Sequence, residues 1–85
     1  MPKVEIYIKA WCPFCRRALM LLEQKGVAFQ QYDIEQQPEL RATMIDRANG
    51  GYTVPQIFID DQHIGGCDDM FALESKGELN SLLAK

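Results

Sequence analysis

The chain has 85 residues, 47% of them hydrophobic and 25% charged, and a formal net charge of −3. That length fits one domain, residues 1–85, built round a single modest core. The negative balance argues against general nucleic-acid binding, which rests on neutralising phosphates, and the longest apolar run, five residues from Ala18 to Leu22, falls far short of the ~20 needed to span a membrane.

The stretch Met1-Pro2-Lys3-Val4-Glu5 lacks a signal peptide's apolar core, so the expected location is the cytoplasm. Charge is unevenly spread. No acidic residue lies between Glu5 and Glu23, whereas Lys9, Arg16 and Arg17 fall in that interval.

In chain order, Val4, Ile6 and Ile8 alternate with Glu5 and Tyr7, which predicts a strand over residues 3–8. Pro13 suits the first position of a helix, where its missing N–H costs nothing. Cys15, Ala18, Leu19 and Leu22 then recur at helical spacing as one apolar face, and Gly26 is a stop signal. Residues 27–34, with Phe29, Tyr32 and Ile34, predict a second strand. A second helix is expected from Pro38, with Leu40, Met44, Ile45 and Ala48 as its apolar stripe and Asn49-Gly50-Gly51 as its end. Ile57-Phe58-Ile59 reads as a short apolar strand, Asp60-Asp61-Gln62 as a turn, and His63-Ile64 as a return strand. Gly65-Gly66 breaks the sheet, and Asp68 or Asp69 is placed to cap or begin a third helix ending near Gly77. Leu79, Leu82 and Leu83 predict a short C-terminal helix. The order β-α-β-α-β-β-α plus that helix describes an α/β fold. The β-α-β unit favours parallel pairing and the later hairpin adds antiparallel strands, giving a four-stranded mixed sheet with helices on both faces.

Three cysteines are an odd number for a disulfide-stapled scaffold and point instead to redox chemistry or metal binding. Cys12 and Cys15 form a Cys-x-x-Cys pair at the start of the first predicted helix. Cys12 falls at the N-cap, where unpaired backbone N–H groups converge and the helix dipole favours negative charge. Lys9, Arg16 and Arg17 add positive potential. Such settings lower a cysteine pKa from about 8.5 to ~3.5–7.5. A drop to about 5 raises the thiolate fraction at pH 7 roughly thirtyfold, but intrinsic nucleophilicity falls by a similar factor. The larger gain is a better leaving group, so a mixed disulfide on such a sulfur is resolved quickly. Cys15, one helical turn away, is within disulfide range. A structural zinc site is the other reading, with His63 and Cys67 completing a Cys-x2-Cys … His-x3-Cys set. Taken singly, His63 reads as a hairpin residue and Cys67 as a small, partly buried one.

Four segments together resemble the glutaredoxins, specifically the small bacterial dithiol type. Lys9-Ala10-Trp11-Cys12-Pro13-Phe14-Cys15 is similar to the family's active-site loop, and Thr53-Val54-Pro55 to its loop with a cis-proline. Gln56-Ile57-Phe58-Ile59 matches the strand that follows, and Ile64-Gly65-Gly66-Cys67-Asp68-Asp69 the glycine-rich turn into the next helix. The resemblance spans the chain. It implies a thioredoxin-like fold and a glutathione-dependent oxidoreductase, with no tightly bound cofactor and glutathione as co-substrate.

Carried over, Cys12 is the nucleophile and Cys15 the resolving thiol. Thr53, Val54 and Pro55 offer backbone to glutathione, with Val54 pairing as an added strand does. Gly66 permits close approach, Cys67, Asp68 and Asp69 meet the γ-glutamyl end, and Lys9 suits a glutathione carboxylate. Phe14 is carried over as a further glutathione contact; it stands where the family most often has Tyr, so the ring is kept and the hydroxyl lost. Trp11 and Phe14 flank the nucleophile, as partner contacts would. Expected partners are disulfide-containing or glutathionylated proteins, with ribonucleotide reductase compatible, and the glutathione reductase system indirectly, for a chain acting as a monomer. The resemblance also leaves two other readings: an electron donor reduced by thioredoxin reductase, and a carrier of an iron–sulfur cluster.

Overall fold

The computed structural model describes residues 2–84. Strand β1 spans Val4–Ile8, helix α1 Pro13–Gln24, β2 Gln30–Asp33, α2 Glu39–Arg47, β3 Gln56–Ile59, β4 Gln62–Gly65, α3 Cys67–Ser75 and α4 Glu78–Leu83. The predicted order is therefore observed. The sheet runs β2-β1-β3-β4. β1 pairs parallel with β2 and antiparallel with β3, and β3 pairs antiparallel with β4.

Several boundaries differ from the sequence reading. β2 is half the expected length, because ladder pairing with β1 begins only at Gln30. The β3–β4 turn is Asp60-Asp61 alone, both at positive φ (51° and 65°), with Gln62 already paired to Ile59. Two left-handed residues are what a tight two-residue hairpin requires, and Asp tolerates that geometry. α3 begins at Cys67 with Gly66 as N-cap, so Asp68 and Asp69 lie inside its first turn rather than before it.

Strand alternation sorts the core into two layers. Val4, Ile6, Ile57 and Ile59 face α1, α3 and α4, packing with Ala18, Leu21, Leu22, Met70, Leu79 and Leu83. Tyr7 and Phe58 face the other way and pack with Met44 of α2 and with Ala48, its C-cap. Helices thus cover both faces, as a period-two strand with two apolar sides demands.

Glu5 belongs to the α2 face and is only 4% exposed. A buried carboxylate is costly unless paired and hydrogen-bonded, and here it is both. Arg47 Nη2 donates to Glu5 Oε1 at 2.8 Å, Arg47 Nη1 to Oε2 at 3.3 Å, and Tyr32 Oη to Oε2 at 3.0 Å. The same guanidinium lies 4.2 Å above the Phe58 ring centroid and donates to Tyr7 Oη at 2.9 Å. The Arg47 hydrogen bonds hold Glu5 below the usual carboxylate range of 4.5, against burial, which pushes it up; Tyr32 and Lys3 add to the lowering.

Because Glu5 is more acidic folded than unfolded, this stabilisation is in place above about pH 4.5 and is lost as pH falls through the folded value. Arg47→Met should therefore cost about 3 kcal/mol at neutral pH, the low end for a broken buried pair because Arg47 is partly exposed. Urea unfolding should show the gap to wild type narrowing toward about pH 3. A gap independent of pH would show that Arg47 acts only through its stacking on Phe58.

Candidate active site

Three segments meet at one end of the sheet: the loop after β1, the loop before β3 and the turn after β4. The antiparallel register forces this. Tyr7 pairs with Gln56 and Ile57 with Gly65, so the C-terminal ends of β1 and β4 lie beside the N-terminal end of β3.

At the first segment, Pro13 starts α1 and Cys12 is its N-cap with extended backbone (φ −122°, ψ 108°). The Cys12 carbonyl accepts the Arg16 N–H at 3.0 Å, the first bond of the helix. Cys12 Sγ accepts the Cys15 N–H at 3.2 Å. The sulfur therefore occupies the capping position, where a helix favours negative charge. No acidic side chain stands in that first turn. Trp11 is 97% exposed.

Cys15 follows at the spacing that turns its side chain inward, and it is 1% exposed. Burial pushes its thiol up to about 12, Cys12 adds to the rise, and the Lys9 backbone N–H partly offsets it. The two sulfurs thus differ in access, and burial holds the inner one protonated. Cys67 is also buried. Burial raises its pKa, Arg17 opposes that, and Asp68 and Cys12 add to it.

The second segment reaches Cys12 directly. The Val54–Pro55 peptide bond is cis, as expected from the resemblance, and the Cys12 thiol donates to the Val54 carbonyl across 3.8 Å. From there a groove of about 320 Å³ runs between Phe14, Thr53, Val54 and Pro55 on one side and Gly66, Cys67, Asp68 and Asp69 on the other. Eight of the nine residues expected to contact glutathione line this one groove. Lys9 does not. It borders a separate hollow with Cys12, Cys15 and Arg16.

Two residues of the third segment also carry structural constraints. The glycine demanded by geometry in the third segment is Gly65, at φ 118°, where a Cβ would run into the Asp69 carboxylate. At Gly66 a Cβ would sit 3.4 Å from the Pro55 carbonyl, an ordinary contact. Asp69 also has a structural role, because its Oδ2 accepts the Gly66 N–H at 2.9 Å. Asp68 remains exposed.

His63 does not join the cysteines. Its Nε2 lies 2.7 Å from Gln56 Oε1, and no cluster of three or more His, Cys, Asp or Glu side chains placed to hold a metal occurs among the described residues. Gln56 is the residue that sequence reasoning passed over. It is 5% exposed, and its Nε2 donates to the Thr53 carbonyl at 3.0 Å. The available signal was a lone amide at the head of an otherwise apolar strand.

Comparison with known proteins agrees with this geometry. The family profile described as Glutaredoxin matches residues 4–64. A probable glutaredoxin of Synechocystis is 59% identical over 81 residues, covering 95% of this chain and 92% of that protein. Glutaredoxin 3 of Escherichia coli K12 is 55% identical over 83 residues, covering 98% of this chain and 99% of that protein. Among solved structures, a buckwheat glutaredoxin–glutathione complex is similar with a TM-score of 0.89 at 29% identity, covering 98% of this chain and 77% of that one. Glutaredoxin from Brucella melitensis is similar with a TM-score of 0.82 at 52% identity, covering 95% and 87%. An N-capping cysteine, a buried partner one turn on and a cis-proline loop beside them accord with these likenesses, and the chain belongs to the glutaredoxin family of thiol–disulfide oxidoreductases with the thioredoxin-like fold.

Proposed function

We propose that the chain uses glutathione to reduce glutathione mixed disulfides and protein disulfides, with Cys12 as nucleophile and Cys15 as resolving thiol. The observation that carries this is the groove that begins at the Val54 carbonyl, 3.8 Å from Cys12 Sγ, and ends at the N-terminus of α3. It exposes the Thr53–Val54 backbone, outside the sheet ladder, at one end and the first turn of a helix with two carboxylates at the other. A γ-glutamyl tripeptide has matching groups: a backbone to pair with Val54, an ammonium for Asp68 and Asp69, and carboxylates for peptide N–H groups. The similar buckwheat protein is a complex with glutathione.

In the first route Cys12 thiolate attacks the glutathione sulfur of a mixed disulfide. The substrate sulfur leaves as a thiolate and takes up a proton. A second glutathione, as thiolate, then attacks the glutathione sulfur on Cys12, forming oxidised glutathione and regenerating the Cys12 thiolate. In the second route Cys12 attacks a protein disulfide. Cys15 then displaces the remaining substrate thiolate, closes the Cys12–Cys15 bond and gives up its proton to the leaving sulfur. Two glutathione molecules restore the dithiol. The reducing cytoplasm is the compartment in which such a pair is kept reduced.

Cys12→Ser should abolish both routes. Cys15→Ser should retain the first and lose the second, because serine keeps the backbone N–H that Cys12 Sγ accepts. Turnover of a glutathionylated peptide and of a protein disulfide, each driven by glutathione and glutathione reductase, separates the two. Loss of peptide deglutathionylation in Cys15→Ser would overturn the scheme.

Ring closure by Cys15 should also speed up with pH. Burial, the largest cause of the raised Cys15 pKa, persists when Cys12 carries a disulfide, so below that raised pKa the Cys15 thiolate fraction rises tenfold per pH unit, and only the thiolate attacks. Single-turnover release of a thiol held on Cys12 should therefore accelerate about tenfold per unit from about pH 6 to 9. A rate that levels off near neutrality would contradict a buried, protonated Cys15.

A further inference from the structure

The groove wall at Thr53–Pro55 is packed, with Pro55 buried and Val54 against the α2-side core, but it carries few hydrogen bonds. Among the described residues no backbone–backbone bond outside the helices and strands reaches Thr53, Val54 or Pro55. Two side-chain bonds tie the segment down: Cys12 to the Val54 carbonyl and Gln56 to the Thr53 carbonyl. They behave differently during the reaction. The Cys12 tie needs the proton on sulfur. A thiolate has none, and neither does a Cys12 that carries a disulfide. The tie is therefore lost at the stages in which the groove must hold glutathione. The Gln56 tie does not depend on the state of Cys12.

Gln56 is itself fixed from several sides. The Thr53 carbonyl can only accept, so the Gln56 amide must present its NH2 there and its Oε1 to His63. His63 Nε2 must then carry a proton. The imidazole is held opposite Phe58 by the β3–β4 register, with ring centroids 5.2 Å apart. The chain also crosses close over the amide: a Cβ on Gly51 would lie 3.1 Å from Gln56 Nε2. The side chain is 95% buried against solvent competition, with both amide ends satisfied.

We infer that Gln56, aligned by His63, is the positioning residue that keeps the Thr53–Pro55 backbone in place for glutathione once Cys12 has lost its proton. This rests on the glutathione reading above. Its chemical content is a division of labour. Cys12 does the exchange, and a neighbouring amide preserves the binding edge that Cys12 releases.

The test uses two variants of the full chain. Gln56→Met keeps the length and removes the donor, and His63→Phe leaves Gln56 but removes the group that aligns it. For reduction of a glutathionylated peptide, Gln56→Met should raise KM about tenfold, the effect of one oriented hydrogen bond, with kcat within about twofold. His63→Phe should shift KM the same way by less, and it decides the matter if Gln56→Met does not fold. Unchanged KM in a folded variant overturns the inference. A second readout does not involve glutathione. With Cys12 alkylated, and so without its proton, the wild type should keep rigid Thr53 and Val54 amides, with order parameters near ~0.85, whereas alkylated Gln56→Met should fall below ~0.6. Equal order in both overturns the inference. A wild type that does not reduce the glutathionylated peptide sinks the glutathione reading, and the relaxation result then decides the role of Gln56 alone.

Discussion

One sulfur atom joins two distant parts of the chain: Cys12 Sγ accepts the N–H of Cys15 and donates to the carbonyl of Val54, 42 residues beyond Cys12. Each element of the fold bears on that meeting. β1 delivers the chain to Cys12, Pro13 starts the helix whose free N–H groups face the sulfur, and the antiparallel β1–β3 register sets the Val54 loop beside it. The bulge that adds a residue to β4 between His63 and Gly65 shifts the hairpin's end, from which α3 starts with its first turn along the groove. A slip of one residue in β3 would reverse the faces of Gln56 and Phe58 and carry the loop away from Cys12.

The same helix that exposes Cys12 to its surroundings hides Cys15. Three residues of helical advance take the second sulfur from the mouth of the site to the packed underside of α1, where desolvation favours the neutral thiol. The proposed division between an attacking sulfur and a waiting one thus rests on helix geometry and burial. Cys67 lies at the start of α3 in the core layer, and burial likewise favours its protonated form. It lines the groove as packing surface more than as a reactive group.

Much of this was legible in the sequence. Pro13 after Cys12 fixed the helix start and therefore the capping sulfur. Alternation in β1 and the stripe of α2 located both core layers. Thr53-Val54-Pro55 and Gly65-Gly66 marked the groove walls through resemblance to the family. The less legible features depend on contacts between segments distant in sequence. Glu5 reads as the polar side of a half-exposed strand. Only the third dimension brings Arg47, Tyr32 and Phe58 round it and makes it a buried ion pair. Gln56 and His63 look like strand fillers until the hairpin sets His63 against Gln56, whose amide donates to the Thr53 carbonyl. The start of α3 was misjudged for a local reason. A carboxylate three residues into a helix reaches back to the N-cap N–H just as an N-cap side chain reaches forward, so Asp69 carries a capping signature without being the cap.

Position divides the three thiols of this small protein into one within reach of an external reagent and two that are buried. Brief alkylation of the reduced chain with iodoacetamide at neutral pH, followed by peptide mass mapping, tests it most directly. Label is expected on Cys12, with Cys15 and Cys67 left free. Label appearing on Cys15 or Cys67 as fast as on Cys12, in protein that remains folded, would contradict it.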